Sequence, residues 1–258
     1  MDSVFYADEL PPVGGIGTLA GPEGKHAATV RRLRIGERLI VADGHGSGVA
    51  AEVTAVDKGS LDFRVLDRFV EEQRLPRVTV VQGLPKSERS ELAVDLATEA
   101  GADAIVPWQA GRSVSRWDTG KAAKGVARWQ AVATAAAKQS RRLRVPQVAD
   151  LHSTAEVSAL IGRVVAGGGA ALALHESGAT PLAGLDLRER EKIVLIIGPE
   201  GGLSDQEIEQ FTAAGAVATV LGPTVLRTST AAAVALGAIG VLTDRWTPAA
   251  LPVPGPND

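Results

Sequence analysis

The hydrophobic pattern changes period once along the chain. Apolar positions over residues 38–42, 49–56 and 61–66 form short strand-like runs, separated by the glycine-studded stretch 43–48. Runs of that length bounded by Gly and Asp predict hairpin-linked strands, so this part reads as a small β-rich unit resembling a partly closed barrel. Ahead of it, residues 23–34 predict a short helix carrying basic side chains. The polar stretch 71–76 ends in proline and marks a domain boundary. Beyond it, strands predicted at 78–82, 104–107, 170–174, 192–197 and 216–221 alternate with helical segments, the order of an α/β domain with a largely parallel sheet. The helices are expected at 87–100, with Leu92, Leu96 and Glu99 at helical spacing, and at 121–139, with Trp129, Val132 and Ala136 on one face. A third opens at Ser204 and Glu207, a capping-box pair. The last, 230–242, has no polar face and must be buried on several sides. Prolines 252, 254 and 256 leave no pattern in the C-terminal tail, which is expected to be loose.

Composition narrows the chemistry. The 258 residues include no cysteine, which excludes disulfides, thiolate–zinc sites, iron–sulfur clusters and thiol nucleophiles. His26, His45, His152 and His175 are scattered without ligand spacing, so no metal site is expected. The start of the chain is acidic and lacks a basic-then-apolar leader. The uncharged runs 211–226 and 228–243 are too rich in Ala, Gly and Thr to span a bilayer; a cytoplasmic protein without membrane contact is expected. No GxxxxGK[ST] pattern occurs, and the Asp43–Gly48 glycines are followed by another strand rather than a helix, which fits a turn and not a dinucleotide loop.

Two loops stand out. Gly198-Pro199-Glu200-Gly201-Gly202 follows a buried strand and opens the capped helix, and Leu221-Gly222-Pro223-Thr224-Val225-Leu226-Arg227 follows the next strand and leads into Thr228-Ser229-Thr230. Either alone is compatible with a tight turn needing positive φ. Two Gly-Pro loops at the carboxyl ends of neighbouring strands form one crevice, the usual ligand position of an open α/β sheet.

These residues, from Leu195 to Ser204 and from Leu221 to Thr228, resemble the C-terminal signature of the ribosomal RNA small subunit methyltransferase E family, within the SPOUT superfamily. The resemblance extends to Lys86-Ser87-Glu88, to Ala97–Ala102, to Arg128-Trp129-Gln130, and to Gln139-Ser140 with Arg142-Leu143-Arg144-Val145-Pro146. It implies a PUA-like β-barrel RNA-binding domain over 1–73, a SPOUT methyltransferase domain with a deep trefoil knot over 74–246, and a tail over 247–258. It further implies S-adenosyl-L-methionine as cofactor, N3 of a uridine in 16S rRNA of the small ribosomal subunit as the methylated atom, and a homodimer. The cofactor would lie among Leu174, His175 and Glu176, the loop Gly198, Pro199, Glu200, Gly201 and Gly202, and Leu221, Gly222, Val225 and Leu226. Lys138 and Arg141 depart from the family, which commonly has Glu and Gly there, and Ala100 replaces a usual Leu.

Charge supports an RNA partner locally. The whole chain carries −3, yet residues 101–150 hold nine Lys/Arg against three Asp/Glu. Cations concentrated this way suit phosphate recognition, since counterion release supplies most of RNA affinity. Lys138, Arg141, Arg142 and Arg144, with Lys86 and with Arg31, Arg32 and Arg34 of the small unit, are the expected RNA contacts; a solvated helix end is the plain alternative. Trp117 and Trp129 are candidate stacking platforms, but core packing is the favoured role for each. Uridine N3 is protonated at neutral pH, so transfer to it requires a base or a stabilised anion. Arg227 is the candidate for the anion and Glu200 for the base, with loop bracing the alternative for Glu200. A ribose 2′-O methyltransferase and a non-catalytic RNA-binding assembly factor are the competing functions.

Overall fold

The computed structural model describes residues 3–176, 178 and 180–247. They divide into two compact units: the described residues of Met1–Gln73 together with Ala137–Val145, and Arg74–Ala136 together with Pro146–Thr247. The tail expected at 247–258 lies, after its first residue, outside the described residues.

The first unit is a curled mixed sheet of β1 (Ser3–Tyr6), β2 (Ile16–Leu19), β3 (Arg38–Ala42), β4 (Ser47–Val56) and β5 (Leu61–Val70), in the order β1-β3-β4-β5-β2. β1 joins β3 in parallel and the other pairs are antiparallel. Register shifts at Ala50/Ala51 and Val53/Ala55 add the local twist that curls long strands. Phe5, Leu39, Val41, Val53, Leu61 and Phe63 fill the concave core. Between β3 and β4 the glycine stretch is a hairpin turn, in which the Asp43 carboxylate accepts the N–H groups of His45 and Ser47 at 2.7 and 3.0 Å. Burial works to raise the Asp43 carboxyl, but these amides and the Ser47 hydroxyl outweigh it and hold the group below the usual carboxylate range. The helix expected at 23–34 is shorter: α1 (Gly21–Lys25) passes into a wider turn, His26–Val30, and Arg32 takes the left-handed φ of 53° that breaks the helical path.

Ala137–Val145 contributes to this unit from far along the chain. Leu143 is buried with Val4, Ile40 and Ala42. The Tyr6 hydroxyl donates to the Arg142 carbonyl at 2.7 Å.

The second unit is a seven-stranded sheet in the order β10-β12-β9-β11-β6-β7-β8, parallel at every pairing. The strands are β6 (Arg77–Gly83), β7 (Ala104–Trp108), β8 (Gln147–Val148), β9 (Ala170–Leu174), β10 (Thr180–Pro181), β11 (Lys192–Ile197) and β12 (Val217–Val220). Central β11 is buried from Ile193 to Ile197, as its unbroken apolar run requires of a strand covered on both faces. One face packs residues of α2 (Ser87–Glu99), α3 (Thr119–Gln139) and α6 (Thr228–Leu242), among them Val94, Trp129, Ala133 and Ala235. The other packs Val157 and Ile161 of α4 (Thr154–Ala166) and Phe211 of α5 (Asp205–Ala213). Leu92 is 44% exposed, and the inward face of α2 is Ala93, Val94, Ala97 and Thr98, small residues that let α2 lie close against α6. Trp129 is fully buried, its Nε1 donating to Ser90 Oγ at 2.8 Å, and Trp117 packs edge-on against it at 5.2 Å, so core packing is the role of this pair. α6 begins at Thr228 rather than Thr230. Among the described residues no helix is long and apolar enough to cross a membrane, and no group of His, Asp and Glu is arranged to hold a metal ion.

Candidate active site

The strands that carry the two Gly-Pro loops, β11 and β12, are not neighbours as expected but flank β9; the carboxyl ends of all three lie side by side, so the loops that leave them converge. They enclose a cavity of about 550 Å³ in the second unit, a size suited to a small-molecule cofactor. Leu174, His175 and Glu176 enter it from β9, Gly198 to Gly202 from β11, and Leu221, Gly222, Val225, Leu226 and Arg227 from β12. Every cofactor residue expected from sequence thus lines one space.

Local chemistry explains each loop. Pro199 and Gly202 close a turn, Gly202 N–H donating to the Pro199 carbonyl at 2.9 Å with Gly202 at φ +70°, where a side chain would be strained. Ser204 then caps α5: its hydroxyl accepts the Glu207 N–H, and Glu207 accepts the Ser204 N–H at 2.8 Å. The buried Glu207 carboxylate also takes the Gly111 N–H at 2.8 Å, tying the segment after β7 to the same helix start. On the other side of β11, Gly83 ends β6 where a Cβ would lie 2.8 Å from Pro199 Cδ. Only glycine lets the loop lie this near.

Glu200 is exposed, and both carboxylate oxygens face the Lys86 N–H at 3.1 and 3.3 Å. Its charge therefore sits at the N-terminus of α2, where the helix dipole favours an anion. Arg227 is the N-cap residue of α6, exposed, and makes no side-chain hydrogen bond or ion pair among the described residues. Arg227 is among the residues that line the cavity. The first amides of α6 have no side-chain cap, because an arginine at the cap position carries no acceptor, while Thr228, the first helical residue, donates its hydroxyl to the Gly198 carbonyl at 2.7 Å.

Sequence reasoning missed Arg89 and Arg112, both of which line the cavity. Arg112 donates to the carbonyls of Gly201 and Leu203 at 3.3 and 3.0 Å, bracing the loop from outside. Its place after β7 carried no motif to reveal it; Arg89 follows directly on Lys86-Ser87-Glu88.

The expected RNA residues divide. Arg31, Arg32, Arg34 and Arg141 are exposed on the first unit, and Lys86 is exposed on the second. Lys138 is only 17% exposed and gives its ammonium to both Glu23 oxygens at 2.7 Å, 4.8 Å above the Phe5 ring. Arg144 bonds the His45 and Glu71 carbonyls, and Gly46 leaves it room. These two cations fasten the first unit internally, a departure from the expectation that all four of the cluster face outward.

Comparison with known proteins fits this geometry. The profile of an RNA methyltransferase domain matches residues 71–240, and that of an RNA methyltransferase PUA domain matches residues 19–66. The ribosomal RNA small subunit methyltransferase E of Mycobacterium bovis is 51% identical over 94% of this chain and 93% of its own length. The chain belongs to the ribosomal RNA small subunit methyltransferase E family. The family member from Bacillus subtilis is 34% identical over 88% of this chain and 90% of its own. A crystal structure of the small subunit methyltransferase E from Neisseria gonorrhoeae, bound to S-adenosyl methionine, superposes with a TM-score of 0.83 at 27% identity, covering 94% of this chain and 98% of that one. The curled N-terminal sheet and the parallel C-terminal sheet of this family member are therefore its PUA-like and methyltransferase folds.

Proposed function

We propose that the protein methylates N3 of a specific uridine in 16S rRNA of the small ribosomal subunit. The broader activity, S-adenosylmethionine-dependent methylation of small-subunit rRNA, is that of the family to which the chain belongs. The observation that carries the reading is the single cavity formed by the β9, β11 and β12 loops. Its lining suits the cofactor: turns of glycine and backbone for a close-fitting ligand, and the acids Glu176 and Glu200 for a molecule with sulfonium and ammonium charges. S-adenosylmethionine supplies an electrophilic methyl group there. Leu174, His175, Glu176, the Gly198–Gly202 turn, Leu221, Gly222, Val225 and Leu226 hold it.

The remaining work falls to the protein. Arg227 is assigned to the uracil anion: a guanidinium brought beside the developing oxyanion lowers the cost of losing the N3 proton. Glu200 is assigned to that proton, its place at α2 leaving lone pairs for a donor besides the Lys86 amide. The target base must leave its stack to reach the cavity. We assign residues 1–73 to RNA binding and 74–246 to methyl transfer, the RNA surface to Arg31, Arg32, Arg34, Lys86, Arg141 and Arg142, and an internal role to Lys138 and Arg144. A trefoil knot formed by the β11 and β12 loops, a homodimer and a cytoplasmic site of action complete the proposal, on the strength of the family resemblance.

The test is tritiated methyl transfer to small subunits lacking the modification, with mass spectrometry of the digested nucleosides. Label in 3-methyluridine is the expected result; label in a 2′-O-methylnucleoside overturns the target atom. An Arg227→Ala variant should keep its melting temperature and cofactor affinity while turnover falls by roughly 10²-fold or more.

A further inference from the structure

Gln82 lies at the carboxyl end of β6, 1% exposed and behind the cavity rather than in its lining. Its Nε2 donates to the Gly83 carbonyl at 3.1 Å and to Thr228 Oγ1 at 2.9 Å. Thr228 in turn donates its one hydroxyl proton to the Gly198 carbonyl at 2.7 Å. The direction of this chain is forced: with its proton committed, the hydroxyl accepts from Gln82, and a flipped amide would set oxygen against the Gly83 carbonyl. The relay thus runs from β6 through the first residue of α6 to the first residue of the β11 loop. It joins, in one line, two of the three loops that form the cavity.

The other half of the amide is the telling part. Gln82 Oε1 is buried and has no hydrogen-bond partner among the described residues. A buried acceptor left unsatisfied is destabilising, and an apolar side chain of the same size would carry no such cost. The amide thus places its two partners, while the unpaired oxygen offsets part of what its two hydrogen bonds contribute to stability. We infer that Gln82 is a positioning residue of the methyl-transfer site, setting the spacing of the Gly198–Gly202 loop against the N-terminus of α6 through Thr228. The inference rests on the functional reading that S-adenosylmethionine occupies this cavity.

Two effects of different size follow. Gln82→Leu should fold and unfold within a few degrees of the wild type, yet bind S-adenosylmethionine about tenfold more weakly, the size of one lost well-placed hydrogen bond. Its KM for the cofactor should rise by the same factor, with kcat at saturating cofactor within about twofold, because an indirect contact does not touch the reacting atoms. Thr228→Val, which breaks the relay at its middle, should show the same loss, Thr228→Ser should restore affinity, and the double variant should be no weaker than either single one. Calorimetric titration of the full-length variants with S-adenosylmethionine and thermal unfolding without it read all of these. Unchanged affinity in Gln82→Leu, or a loss in Thr228→Val that Thr228→Ser does not restore, overturns the positioning role while leaving the functional reading intact. If Gln82→Leu fails to fold, Gln82 serves stability and the inference is likewise overturned. A wild-type protein that does not bind S-adenosylmethionine overturns the functional reading and this inference together.

Discussion

Close approach at single residues sets the cavity wall. At Gly83 an added Cβ meets Pro199 Cδ and N at 2.8 Å and the Gly198 carbonyl carbon at 3.1 Å, all parts of a turn that cannot rotate away. Gly83→Ala should therefore destabilise the protein by about 1–3 kcal/mol, the usual cost of overpacking, and weaken cofactor binding measured by titration. His26 offers a second residue-level test. Burial, reinforced by Lys138, lowers its imidazole below the ordinary value of 6.5, outweighing Glu23. Its edge packs on Phe5 with ring centroids 5.9 Å apart. A base whose folded pKa is depressed favours folding while neutral, so its contribution is present above 6.5 and lost as pH falls from there through the folded value. The urea midpoint should accordingly fall between pH 7.5 and pH 5, and His26→Gln should flatten that fall. The glycines and Arg227 were legible in the sequence because their spacing after apolar strands is a pattern. Arg112 was not, since a lone arginine after β7 has meaning only once the Gly201 and Leu203 carbonyls are seen beside it.

The start of α5 agrees closely between sequence and structure, because a capping box is local chemistry. Ser204 with Glu207, and Ser153 with Glu156, each close both reciprocal hydrogen bonds. The first was read from sequence and the second, with the whole of α4, was not. Ser153→Ala and Ser204→Ala should each cost about 1 kcal/mol in chemical denaturation, but only the second should also weaken cofactor binding, since Ser204 anchors the loop that begins at Gly198. The faces of α2 show why period alone fell short. Leu92 and Leu96 mark an apolar stripe, yet the buried positions are Ala93, Val94, Ala97 and Thr98. Close helix packing selects small residues, which hydrophobic periodicity underweights. The strands β1, β2, β8 and β10 were missed for a related reason: they are two to four residues long, too short for a period to register.

At the scale of the whole chain, the two units are not two consecutive segments. The sequence marks a boundary at the polar stretch 71–76, but nothing in residues 137–145 announces that they belong with the first unit, because Leu143 looks like any other apolar residue until its neighbours Val4, Ile40 and Ala42 are known. A fragment 74–247 would carry Leu143 and Lys138 without these partners and without Glu23. It should be less soluble and more readily cleaved by protease within 137–145 than the full chain, a comparison that limited trypsin digestion decides, given Lys138, Arg141, Arg142 and Arg144 as cleavage sites. The same interleaving bears on synthesis. Chains are made from the N-terminus, and domains tend to fold as they emerge, yet here Val4, Ile40 and Ala42 of the first unit lack their leucine until residue 143 has appeared. Order of birth is thus not order of completion: the main core of the N-terminal sheet is present by residue 65, but its second, smaller cluster waits for more than half of the protein to be translated.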